Sequence, residues 1–215
     1  MSGEARKYLG WLSVPAAAAL IAGCGGSGTT DSTTTTSAPP PLDVSFRWTN
    51  AASELTSPDA TFVRAFIESW QAVAYSGKLY DVYPGFGDAN HGIGLDGIRD
   101  TGPATYKSVF MNLLRVENSG GQTTKAVVCL WIGAEEPGGF PTELTYFHRG
   151  QTPPGDQSGV AKRPGGNVFG GWYATRMRQA ASSDPDSQAC DAIRPADLPS
   201  QFAVLSPVPG WPGSS

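Results

Sequence analysis

The chain has 215 residues, 40% hydrophobic and 16% charged, with 27 glycines and 18 prolines. That length holds one domain with tails. A formal charge of −4 without a Lys/Arg cluster excludes electrostatic capture of nucleic acid.

The chain begins with a short basic head, Arg6 and Lys7 against Glu4, and continues into the apolar run Tyr8–Ala22, broken by Pro15. About fifteen apolar residues fall short of the roughly 20 that span a bilayer and fit the apolar region of a signal peptide. The stretch Ile21-Ala22-Gly23-Cys24 resembles the lipobox of bacterial lipoproteins. The resemblance implies cleavage after Gly23, so that residues 1–23 are the signal peptide and Cys24 becomes an acylated N-terminus. Two or three acyl chains, such as palmitate, anchor stably where one is marginal. The implied location is the extracytoplasmic face of the cell membrane.

Residues 24–41 follow as the acylated cysteine and a Gly/Ser/Thr-rich, then Pro-rich tether. This composition buries too little apolar area to offset chain entropy. Seventeen such residues reach roughly 23 Å r.m.s., enough to lift a domain clear of the headgroups.

The texture changes at residue 42, and a single domain is expected over 42–206. Val44, Phe46 and Trp48 alternate with Ser45, Arg47 and Thr49, the period-2 pattern of a half-buried strand. The clearest helix runs over residues 57–77. Ser57 stands at its N-cap, Pro58 at the first helical position, and Gly77 at its stop. Val63, Ile67, Trp70 and Ala74 form an apolar stripe, widened by Phe62, Phe66 and Val73. Arg64, Glu68 and Gln71 are assigned to the solvent side.

Residues 78–103 lose periodicity and gather Gly, Asp and aromatic residues. A hairpin is expected beyond them, with "NSGG" at residues 118–121 as its turn. "TELTYFHR" and "NVFGGWYATRMR" supply two more strands, and residues 150–166 between them read as an exposed, mobile connection. The Pro-rich stretch 207–215 is assigned to a disordered tail.

One amphipathic helix followed by strands predicts an α+β domain, with the long N-terminal helix packed on a curved antiparallel sheet. On the helix "TFVRAFIESW" and the hairpins after it, the domain is similar to the NTF2-like cone fold. With its lipobox and Thr/Pro tether, the chain also resembles the small secreted lipoproteins of high-GC Gram-positive bacteria.

Gly92, Gly94 and Gly97 have G-x-G-x-x-G spacing, but no strand precedes them and Pro103 follows closely. The only histidines are His91 and His148; neither belongs to a paired metal-ligand spacing. No G-x-S-x-G occurs. Neither a cofactor nor a metal is therefore expected. Cys129 and Cys190, in an exported chain, are expected to form a disulfide.

The aromatic cluster at the end of the helix offers a pocket for a small apolar ligand, with Trp70, Tyr75, Tyr80 and Tyr83 as walls and His148 facing inward from its strand. The expected role is a non-catalytic binding or interaction domain at the envelope, its partner an apolar ligand or an envelope protein. The alternative is an NTF2-like enzyme of isomerase or dehydratase type, which requires His148 or an Asp of the 88–100 loop in the pocket. The anchoring chemistry requires a thiol, so Cys24→Ser should move the protein from the detergent to the aqueous phase in phase separation. Retention in the detergent phase would contradict the lipobox reading.

Overall fold

Strand β1 (Ser45–Trp48) and helix α1 (Pro58–Ser76) come first, with a 3-10 turn at Ala52–Leu55 between them. In this computed structural model residues 44–95, 107–134, 138–181 and 183–213 are described, within one unit, Pro39–Ser215. The signal segment, Cys24 and the tether lie outside the described residues.

The ends of α1 follow from local chemistry. Ser57 Oγ accepts from the Ala60 N–H at 3.1 Å, and Pro58 sits where no intrahelical donor is needed. Gly77 closes the helix at φ +66°, a left-handed conformation natural to glycine, and its N–H returns to Val73 O. The short helix α2 (Phe86–Ala89) follows.

Strands β2 (Ser108–Gly120), β3 (Thr123–Trp131), β4 (Phe140–Phe147) and β5 (Tyr173–Gln179) complete a five-stranded sheet in the order β1-β2-β3-β4-β5. The domain is α+β. The β2–β3 pair is the expected hairpin, though residues 118–120 belong to β2 and the turn falls at 121–122. The sheet is mixed rather than antiparallel, because β1 pairs with β2 in parallel from Ser45↔Ser108 to Trp48↔Met111. The physical reason is the connection. With α1 between them, β1 and β2 are joined by a crossover, which parallel neighbours require and a hairpin cannot supply.

The apolar stripe of α1 lies on one face of this sheet. Phe62 is 4.8 Å from Tyr146 and 5.9 Å from Phe169 between ring centroids. Ala126, Val128, Leu130 and Leu144 are buried in the same core. The other face carries Phe110, Cys129, Trp131, Cys190 and Leu198. Here helix α3 (Pro185–Ala192), capped by Asp184, is bonded to β3 through Cys129–Cys190, with Cα atoms 5.4 Å apart. The expected disulfide is present. The helix holding Cys190 has no counterpart among the predicted elements, since eight residues rich in Asp and Ala carry almost no periodic signal.

The polar side of α1 corrects the sequence reading. Arg64, Glu68 and Gln71 are buried, at 0%, 2% and 8% exposure. Trp48 Nε1 donates to Glu68 Oε1 at 2.6 Å, while the Tyr83 hydroxyl and Trp211 Nε1 donate to Oε2 at 2.6 and 2.7 Å. Arg64 donates to the carbonyls of Gln157 and Pro209 at 2.9 and 3.0 Å, and its guanidinium carbon lies 4.3 Å from the Trp211 ring centroid. Burial pushes the Glu68 carboxyl above its ordinary value, against the pull of Arg64 and its three donors.

The cover over these charges is the segment assigned to a disordered tail. Residues 207–213 are ordered against the domain. Trp211 is 1% exposed, and bridges Gly159↔Gly210 and Ala161↔Trp211 seat the segment. A Cβ at Gly210 would stand 2.7 Å from Gly159 O, so only glycine allows that approach. The connection 150–166 is held by the same contacts and by Tyr83, whose hydroxyl lies 3.1 Å from Lys162 O. Proline content alone could not distinguish a docked extended segment from a loose one. Trp211→Ala removes a buried indole and one Glu68 donor, so it should cost about 3–5 kcal/mol in denaturant unfolding. A loss below about 1 kcal/mol would mean the segment does not dock.

Candidate functional site

Toward its C-terminal end α1 stands over the sheet end where β4 begins. Trp70, Gln71 and Tyr75 project from the helix. Leu130 and Ile132 come from β3 and the residues just after it, Phe140 and Thr142 from β4, and Met177 and Gln179 from β5. Leu130 pairs with Phe140 and Thr142 with Gln179, so strand alternation brings these side chains to one face. Between them and the helix lies a cavity of about 340 Å³. That is the lower end of the range for small-molecule sites, roughly 300–1,000 Å³, and the room of about eleven waters at about 30 Å³ each.

The wall is mainly aromatic and aliphatic, with Gln71, Thr142 and Gln179 as its polar side chains. Trp70 lines the cavity, and its indole N–H is buried and has no acceptor among the described residues. A buried donor left unmade costs about 1–3 kcal/mol. Arg178 also borders the cavity, but its guanidinium is held on the opposite face by Glu143, at 3.0 and 3.1 Å. It therefore meets the cavity through its main chain. The hydrogen bond from Arg178 holds the Glu143 carboxyl below its ordinary value, and Lys125 and Arg176 act in the same direction.

Of the residues assigned to a pocket, the structure brings Trp70 and Tyr75 to the cavity wall. Tyr83 is elsewhere, 1% exposed and bonded to Glu68, and burial pushes its hydroxyl well above the ordinary tyrosine value. The side chain of Tyr80 lies outside the described residues. His148 does face inward, but at the other end of the sheet. Its Nε2 lies 2.9 Å from Asp59 Oδ1 and 3.1 Å from Thr124 Oγ1, and its ring stacks on Trp172 at 3.8 Å.

The Tyr146 hydroxyl donates to the same Asp59 oxygen at 2.6 Å. These contacts tie the first turn of α1 to β4. A relay needs the acid and the hydroxyl on opposite ring nitrogens; here both meet Nε2. His91 stacks on Tyr173 at 4.0 Å. Among the described residues no group of three His, Cys, Asp or Glu could hold a metal ion.

Sequence reasoning missed Leu130, Ile132, Phe140, Thr142, Met177 and Gln179. Alternation marks Leu130 and Met177 as inward-facing, but strand register is needed to bring them beneath Trp70. A larger hollow of about 460 Å³ lies among loop residues, including Pro154, Pro164, Gly165 and Asn167. Its described wall has no aromatic side chain, so it offers an apolar ligand little to pack against. No family model, curated protein or solved structure matches this chain.

Proposed function

We propose that this protein is an exported, lipid-anchored protein of the cell envelope whose domain binds an apolar group in the cavity beneath the C-terminal half of α1, without catalysing a reaction. The observation that carries the binding reading is the cavity itself, with its aromatic and aliphatic wall. Sites of this kind bind by apolar contact and orient the ligand through a few polar groups. Support for the anchor is the sequence Ile21–Cys24 with the tether behind it. Among the described residues no helix is long and apolar enough to cross a membrane.

The likeness to the NTF2-like cone fold rests, in this proposal, on a helix laid over a sheet with a hollow between them. The isomerase or dehydratase reading requires a titrating group at the ligand. The described wall offers no histidine, carboxylate or thiol, and His148 is engaged by Asp59, which favours binding alone.

Titration of the full chain with N-phenyl-1-naphthylamine, a dye that brightens in apolar surroundings, tests the reading. The wild-type chain should bind it saturably. Met177→Trp, which fills the cavity from the half-buried edge strand, should weaken binding at least tenfold with little change in the unfolding midpoint. No binding to wild type, or equal binding with the cavity filled, would overturn the proposal.

A further inference from the structure

We propose that the apolar group entering this cavity is a side chain of an extended peptide that adds to the outer edge of β5, in a segment alternating apolar and acidic residues. The inference rests on the cavity being a binding site and names its partner. Strand β5 is bonded to β4 along one side, from Thr142↔Gln179 to Phe147↔Tyr173. On its other side the described residues cover only its beginning, where Asn90 bridges Ala174 in parallel and the His91 N–H donates to Ala174 O at 2.9 Å. Beyond that bridge, among the described residues, nothing pairs with the outer edge over residues 175–179.

The direction of the edge groups follows from the ladder. The Ala180 N–H donates to Pro141 O, and Arg178 stands opposite Glu143, so the main-chain groups of Ala180 and Arg178 point toward β4. By the alternation of an antiparallel pair, the N–H and C=O groups of Met177 and Gln179 point outward. Such a row of donors and acceptors is matched best by another extended main chain.

The side chains at this edge then state what that chain should carry. Met177 and Gln179 line the cavity, so neighbouring side chains of an added strand on that face reach the hollow walled by Trp70, Tyr75 and Phe140. Cross-strand neighbours stand about 4.5–5.5 Å apart, close enough for this. On the opposite face Arg176 and Arg178 are exposed. Arg178 is paired with Glu143, and Arg176 adds its charge beside that carboxylate while its side chain stays exposed. Successive residues of a strand face opposite sides, so the fitting segment places apolar residues toward the cavity and carboxylates toward Arg176. Edge arginines also discourage strand pairing in general; an acidic partner turns that deterrent into selectivity.

The test uses the full chain and a dye-labelled, capped octapeptide alternating phenylalanine and glutamate. Two further versions carry N-methyl groups on either its odd or its even amides. The parent peptide should bind and displace N-phenyl-1-naphthylamine. It should also slow hydrogen exchange at the Met177 and Gln179 amides at least tenfold. One N-methylated version should bind at least tenfold more weakly and the other within about twofold, because only one set of amides faces β5. If the parent peptide fails to bind, if both versions bind like it, or if the two amides exchange unchanged, edge pairing is refuted while the dye still reports the cavity. Failure of the dye to bind refutes the cavity reading itself.

Discussion

Two charged side chains one helical turn apart, Arg64 and Glu68, are buried on α1, and the rest of the domain is organised around keeping them partnered. Leaving one member of such a pair without its partner costs about 3–5 kcal/mol. Their partners come from distant parts of the chain: Trp48 from β1, Tyr83 from before α2, Gln157 from the long connection, and Pro209 and Trp211 from the C-terminal segment. Four segments that share no ladder with α1 are therefore drawn to one helix face. The network reads as architecture, because its polar atoms face one another rather than a cavity.

This constraint also places the cavity. The first half of α1 is enclosed on both sides, by the sheet through Phe62 and by the C-terminal segment through Arg64 and Glu68. Its first turn is pinned again by Asp59 to Tyr146 and His148. Trp70 and Tyr75 lie in the other half, where half-buried aromatic side chains line the cavity beside the edge strand. An enclosed first half and a cavity at the second half suit a site that must be preformed yet accessible. In the proposed anchored state, the tether would allow that edge to reach partners above the membrane surface.

The parts of the fold legible in the sequence are those set by neighbouring residues. Ser57, Pro58 and Gly77 fix the ends of α1, the glycines at 120–121 mark the β2–β3 hairpin, and the export expected from the leading segment suggests the Cys129–Cys190 bond. The parts that were not legible depend on contacts across the chain. Helical periodicity assigns Arg64 and Glu68 to solvent by default, and nothing local announces that Trp211 will cover them. The parallel pairing of β1 with β2 is a property of the crossover, invisible in either strand alone. At the site the same division holds. Trp70 and Tyr75 stand out as aromatics near the end of an apolar helix, whereas Tyr83 and His148 look equally available until Glu68 and Asp59 are seen to claim them. Leu130, Phe140 and Met177 are ordinary strand residues until register sets them beneath Trp70.

The central claim is that α1 has a closed end, sealed by Glu68, and an open end that receives an apolar group at Trp70. The indole N–H resonances of the full chain report both ends in one spectrum. During titration with N-phenyl-1-naphthylamine, the Trp70 indole signal should move, while those of Trp48 and Trp211 should stay in place and remain protected from exchange in D2O. Rapid exchange at Trp211, or a Trp70 signal that does not respond while the dye binds, would contradict the account.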